Sequence, residues 1–292
     1  MHKSSSPIAA TDPLVLALPG SEAMARGLQE SLQAGTIEAC YVRLADGELR
    51  VLLEGDLRAR RVVLVAGLER PEDKFLRLAF VADRLRDLGA GTIVLVAPYL
   101  PYRGHRDDRS QGDEVVESTF ASLVSALVDG VVTLSACGEL ARYLPDSYHI
   151  ETREAPVAPA IGEWIARHVR APVLVARSPA EKGWVNELSR HSGAPACLAA
   201  GERPVDRTRT PVLVAERLRA DPPTVGLLAS LRSAGHPPPV GLSVHALFGP
   251  GDASAFLDAG FARIVTTNSI RDPTNEIDLG PILARSVREL LA

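Results

Sequence analysis

Short apolar, β-branched runs alternate with amphipathic stretches along almost the whole chain. Strands are expected at 14–18, 62–66, 93–97, 131–134, 173–176, 212–214, 240–244 and 264–267. Several of these runs, such as Val62-Val63-Leu64-Val65-Ala66, are apolar at consecutive positions rather than at every second one. That pattern belongs to strands covered on both faces in a parallel sheet. The intervening stretches have helical periodicity. Over 73–88, Phe75, Leu78, Ala79, Ala82, Leu85 and Leu88 fall on one face, and Gly89 stands where a helix ends in a left-handed residue. The closing stretch 281–291 also has an intact apolar face. Strand–helix–strand repetition of this kind predicts a doubly wound α/β sheet.

Two stretches echo each other. Leu85-Arg86-Asp87-Leu88-Gly89 precedes the strand at 92–97, and Leu231-Arg232-Ser233-Ala234-Gly235 precedes the strand at 240–244. A Val-Thr strand end follows in each half, Val132-Thr133 and Val265-Thr266. The echo predicts two domains of similar topology, 1–150 and 151–277, joined near 151–159, where Pro156 and Pro159 bracket a helix start. Helix–glycine–strand echoes also arise in any α/β chain, so the echo alone leaves a single domain open.

Composition narrows the class. At 292 residues, 46% hydrophobic and 23% charged, the chain is globular and long enough for two cores. A net charge of −4 provides no basic field for nucleic acid or membrane. The three cysteines, Cys40, Cys137 and Cys197, have no metal-ligand spacing and suit a reducing compartment. Met1-His2-Lys3-Ser4-Ser5-Ser6 opens no apolar run long enough for a signal peptide or membrane span, so a cytoplasmic location is expected.

Three ordered segments carry a family resemblance. Leu44-Ala45-Asp46-Gly47-Glu48, Ala97-Pro98-Tyr99-Leu100-Pro101-Tyr102-Arg103, and Val265-Thr266-Thr267-Asn268-Ser269-Ile270 followed by Pro273-Thr274-Asn275 match it in order and spacing. They resemble the adenine-side Asp-Gly-Glu element, the strand leading into the Arg-Gln-Asp loop, and the closing Val-Thr-Asn-Thr signature of the ribose-phosphate diphosphokinases (phosphoribosyl pyrophosphate synthetases). The resemblance runs from about residue 14 to the C-terminus. It implies two tandem phosphoribosyltransferase-type, Rossmann-like domains with mostly parallel sheets, and a final helix at 278–292 that packs back on the first domain. It also implies that Asp46 and Glu48 reach a neighbouring subunit's ATP site.

The resembled family moves a pyrophosphoryl group from Mg-ATP to ribose 5-phosphate, which needs a phosphate cradle, a metal and cationic clamps. All three look degraded here. The ribose-phosphate loop would follow 212–214, but Ala215 replaces one aspartate and Glu216 the other. Arg217, Arg219, Asp221 and Thr224 follow, with no glycine among them, and Pro222 and Pro223 have no N–H for a phosphate. Asp221 as N-cap with Pro222 at the first helical position makes a good helix start instead. Arg217 and Arg219 remain able to hold some other anion.

At the family's metal-ligand positions stand Cys137 and Ser178, and neither Arg177, Pro179 nor Ala180 adds a carboxylate. A thiol suits Mg²⁺ poorly, and Cys137 reads as a packing residue more readily than as a reactive thiol. Gly104 takes the place of the family's arginine between Arg103 and Arg106, and Ala200 sits at or near the position of the mobile lysine. His149, His168, His191, His236 and His245 show no partner pattern.

The expectation is a family member with little or no synthetase activity, acting as a non-catalytic subunit or nucleotide- or phosphate-binding protein. No cofactor and no catalytic residue is assigned, and a tentative nucleotide site comprises Asp46, Glu48, Arg103 and Arg106. Expected partners are a second copy, an active paralogue, or an adenine nucleotide. An active diphosphokinase with rebuilt loops, using ATP and Mg²⁺, is the alternative.

Overall fold

Continuous apolar runs bury both faces of a strand, and the computed structural model places most of them at sheet centres. It describes residues 12–102, 113–135, 148–198, 206–249 and 251–292. The chain divides into two compact units. Of the described residues, the first takes in 12–102, 113–134, 148–155 and 280–292, and the second 135, 156–198, 206–249 and 251–279.

In the first unit the sheet order is β2 (Gly35–Thr36), β1 (Leu14–Ala17), β5 (Arg61–Val65), β6 (Thr92–Val96), β7 (Gly130–Ser135) and β8 (Glu151–Pro156). The pairs β1–β2, β1–β5, β5–β6 and β6–β7 are all parallel. Helix α1 (Glu22–Leu32) leads from β1 to β2, α2 (Pro71–Asp87) from β5 to β6, and α3 (Asp113–Leu127) from β6 to β7. Val62 to Ala66 and Ile93 to Ala97 are all fully buried. The expected helix at 73–88 starts two residues earlier, because Pro71 serves as its first residue, and Val81 joins Leu78, Ala82 and Leu85 in the core. Residues 151–156, expected to lead into the second domain, form the edge strand β8 of this first sheet.

Helix α8 (Gly280–Leu291) also belongs to the first unit. Arg288 donates to the Ser31 carbonyl at the end of α1, and Leu290 lies so close to Gly130 that a Cβ there would sit 2.8 Å from its Cδ2. A two-stranded antiparallel hairpin, β3 (Cys40–Arg43) and β4 (Leu49–Leu52), stands apart from both main sheets.

The second unit repeats the plan. Its sheet order is β10 (Ala196–Leu198), β9 (Pro172–Ala176), β11 (Thr210–Ala215), β12 (Val240–Ser243), β13 (Arg263–Thr267) and β14 (Asn275–Ile277), and every pairing is parallel. Its helices are α4 (Ala158–His168), α5 (Lys182–Ser192), α6 (Pro222–Ser233) and α7 (Asp252–Ala259). Helices α4 and α5 pack tightly at Gly162, where an added Cβ would come within 2.4 Å of His191 Cβ. From β9 the chain passes through α5 to β10 on one side, and from β11 through α6 to β12 on the other. The connections therefore diverge between β9 and β11, and in open α/β sheets ligands bind at the carboxyl ends of strands at such a divergence.

Candidate functional site

Arg177 follows β9 and the segment 216–221 follows β11, so both lie at that divergence. After Ser178 a short 3₁₀ turn, Pro179–Glu181, folds the chain back on itself. The turn returns the Glu181 carboxylate to Arg177. Glu181 Oε2 accepts the Arg177 backbone N–H at 2.8 Å, and Oε1 accepts from Nε at 3.0 Å and also from Nη2. The sequence reading found no carboxylate beside Ser178. Glu181, one turn further on, puts one there, already neutralised by Arg177. The other arm of Arg177 reaches Thr224 Oγ1 at 3.5 Å, the outer limit of a hydrogen bond.

Thr224 opens α6, and its surroundings decide what that helix end can bind. A helix begins with four backbone N–H groups that have no partner within the helix. In α6 the first two positions are Pro222 and Pro223, which have none. The Thr224 N–H donates to Asp221 Oδ1 at 3.0 Å, and the Val225 N–H donates to the Asp221 carbonyl at 2.9 Å. No donor at this helix start is left over for a phosphate. Burial, the largest single influence, would raise the Asp221 carboxyl, but the Thr224 hydrogen bonds and the nearby charges of Arg177 and Arg219 together outweigh it. The carboxyl is held below its ordinary 3.8. The chain's own carboxylate thus occupies the place where an anion would sit.

The loop before α6 is pinned from below. Ser243, at the end of β12, accepts the Leu218 N–H at 3.0 Å through its hydroxyl oxygen, which also lies 3.3 Å from the Glu216 carbonyl and 2.8 Å from the His245 carbonyl. The His245 N–H donates back to the Glu216 carbonyl at 2.9 Å. Glu216 and Arg217 are half-buried, Leu218 is buried and Arg219 is exposed. Beneath this loop His245 Nδ1 meets Ser269 Oγ at 2.9 Å, both side chains being buried, and Thr267 Oγ1 donates to the Val244 carbonyl at 2.6 Å. Sequence reading missed the partners Ser243, His245 and Ser269. The available signal was a Ser or His at the end of adjacent strands, and only strand register reveals such a pairing.

The closing Thr266-Thr267-Asn268-Ser269 signature is held together internally. Asn275 Nδ2 donates to Thr266 Oγ1 at 2.8 Å, to the Thr267 carbonyl at 2.7 Å and to the Ile270 carbonyl at 3.1 Å. Asn268 donates to Asp278 at 2.8 Å and accepts the Leu279 N–H at 3.0 Å. These residues tie β13 to β14.

Asp46 and Glu48 lie in the first unit, at the tip of the β3–β4 hairpin, and both are exposed. Gly47 takes a φ of +90°, a conformation suited to glycine, and Asp46 Oδ1 accepts the Glu48 N–H at 3.0 Å. The Asp-Gly-Glu sequence therefore shapes its own turn. Arg103, Arg106, Cys137 and Ala200 lie outside the described residues. Among the described residues, no three His, Cys, Asp or Glu side chains group as a metal site, and no helix is long and apolar enough to cross a membrane.

Two tandem units with parallel sheets define a protein of the phosphoribosyltransferase-type α/β fold. The comparisons narrow the class. Residues 14–128 match the model of the N-terminal domain of ribose phosphate pyrophosphokinase. The chain is 27% identical to the ribose-phosphate pyrophosphokinase of Methanopyrus kandleri, over 95% of this chain and 99% of that one. It is 25% identical to the Sulfolobus acidocaldarius enzyme of the same name, over 83% and 89%. The crystal structure of phosphoribosylpyrophosphate synthetase from Mycobacterium smegmatis superposes with a TM-score of 0.76 at 15% identity, covering 96% of this chain and 99% of that one. These similarities support membership of the ribose-phosphate pyrophosphokinase family.

Proposed function

We propose that this family member makes little or no phosphoribosyl pyrophosphate and acts in the cytoplasm as a non-catalytic subunit or a nucleotide- or phosphate-binding protein. The observation that carries the reading is the start of α6. A phosphate cradle needs free N–H donors, and here two are prolines and the next is taken by Asp221. Ala215 and Ser178 supply no carboxylate at their positions, and Glu181 is held by Arg177. Pyrophosphoryl transfer depends on positioning and on neutralising charge, and loss of one cationic clamp already costs on the order of 10³ in rate. A chain that had merely decayed would have lost its core pattern too, yet its buried strands are intact. We therefore assign the retained fold to assembly, as a homo-oligomer or with an active paralogue to which the exposed Asp46 and Glu48 are lent.

The test is direct. Purified protein, free of contaminating synthetase, is incubated with ATP, ribose 5-phosphate and Mg²⁺, and phosphoribosyl pyrophosphate is measured. None is expected. Turnover near the enzyme median of about 10 s⁻¹ would establish the active alternative.

A further inference from the structure

Arg177 lies across the divergence at the carboxyl ends of β9 and β11, and three of its donors point at one carboxylate. Its backbone N–H donates to Glu181 Oε2 at 2.8 Å, its Nε to Oε1 at 3.0 Å, and its Nη2 to Oε1 as well. On the other side Nη1 reaches Oγ1 of Thr224, a fully buried residue at the start of α6. The Arg177 and Glu181 side chains are 24% and 19% exposed. Three convergent donors around two oxygens, largely out of water, form a receptor for an oxyanion. Its occupant is a residue four positions along the same chain. The charges around it balance. Arg177 and Arg219 both act on Asp221, and Glu181 and Asp221 are the carboxylates that offset them. The half-buried Glu216 and Arg217 add one charge of each sign.

The two carboxylates are not held alike. Asp221 completes α6 by accepting the Thr224 N–H, so it cannot leave without fraying that helix. Glu181 ends a single 3₁₀ turn, closed by its N–H to the Ser178 carbonyl at 3.1 Å. Hydrogen bonds in such a turn have poorer geometry than those of an α-helix, and it opens more readily. We propose that Arg177 is an oxyanion receptor held shut by Glu181, a tethered carboxylate that a small free carboxylate or phosphate can replace. With Glu181 in place, an added anion would leave negative charge in excess, so binding requires Glu181 to swing out. Tethering gives Glu181 a high effective concentration. Only a ligand that competes with it, or that gains further contacts from Arg217 or Arg219, opens the receptor. This inference deepens the phosphate-binding part of the preceding reading, and it concerns the end of β9 rather than the missing cradle at α6.

Anion rescue of the full chain tests the receptor. Glu181→Ala leaves Arg177 largely buried and without its carboxylate, and should lower the thermal midpoint in chloride by at least about 2–4 °C. Formate, acetate or inorganic phosphate replaces chloride at constant ionic strength, over about 1–100 mM, a range set by the effective concentration of a short tether. Each added anion that fits should restore the midpoint saturably. Formate and acetate report a seat for carboxylates, and phosphate a seat for phosphates. The wild type should need at least about tenfold more anion for the same shift, since its receptor is free for only a fraction of the time. The double variant Arg177→Gln, Glu181→Ala should show no saturable response, which separates binding from the general effect of such salts on stability. Glu181→Gln, which keeps an acceptor for the Arg177 N–H, takes the place of Glu181→Ala should the latter fold poorly by circular dichroism. Failure of every anion to restore the variant, equal responses in wild type and variant, or a response that survives loss of Arg177 overturns the proposal. No ATP or ribose 5-phosphate is present in these measurements, so this inference and the reading of catalytic silence fail separately.

Discussion

Asp221 caps α6 by accepting the backbone N–H of Thr224 at 3.0 Å. The same carboxylate that completes the helix fills its anion-binding end. Asp221→Ala should therefore destabilise the second unit by about 1 kcal/mol, the usual value of an N-cap side chain. The pH dependence has a definite sign. The folded-state value is depressed below the ordinary 3.8, so the carboxylate stabilises the fold above that value and ceases to as pH falls through the folded one. Urea denaturation should show a gap between wild type and Asp221→Ala at pH 7 that narrows as the pH is taken down through the acid range below 3.8. A gap that widens in acid would show that Asp221 is not held as an anion.

Ser243 joins β12 to the loop after β11. Its hydroxyl accepts the Leu218 N–H, and Leu218 is buried. Ser243→Ala leaves that N–H without its acceptor, at a cost of about 1–3 kcal/mol. Hydrogen exchange should show the Leu218 amide losing protection well before the amides of β9. Equal protection in both proteins would mean that Leu218 has another acceptor.

At Gly162 helices α4 and α5 are in close contact. An added Cβ would lie 2.4 Å from His191 Cβ and 3.0 Å from the His191 carbonyl carbon. Gly162→Ala is otherwise favourable to a helix by roughly 1 kcal/mol. Overpacking should dominate and lower stability by about 1–3 kcal/mol. A rise in the thermal midpoint would show that the two helices part at little cost.

Nucleotide binding separates a sensor from a subunit that merely lends residues. With no acidic cluster among the described residues, adenine nucleotides should bind weakly, and equally with Mg²⁺ or with a chelator. Calorimetry under both conditions checks this. A strict requirement for Mg²⁺ would mean that the chain does build a metal site.

The strands of the sheet interiors were legible because burial on both faces leaves continuous apolar runs, as at Val62 to Ala66 and Ile93 to Ala97. The hairpin at 40–52 and the short strands β10 and β14 were not. Their side chains are half-exposed or their lengths too small for a periodicity to register. At the candidate site, Asp221 as N-cap was legible because capping is local, with acceptor and donor three residues apart. Glu181 was overlooked for a similar local reason: the 3₁₀ turn after Ser178 reverses the chain, and a sequence does not announce such a reversal.

The sequence by itself determined the α/β class, the helix start at Asp221-Pro222-Pro223 and the absence of a glycine-rich cradle after β11. Each of these rests on interactions within a few residues of chain. Only the tertiary structure decided that Arg177 reaches Thr224, that Ser243 holds the loop at Leu218, and that His245 meets Ser269. Strand order made these partners, by setting β9, β11, β12 and β13 side by side and bringing together residues 24 to 47 positions apart. Pairing across strands depends on register, and register is fixed by the packing of whole layers rather than by any local motif.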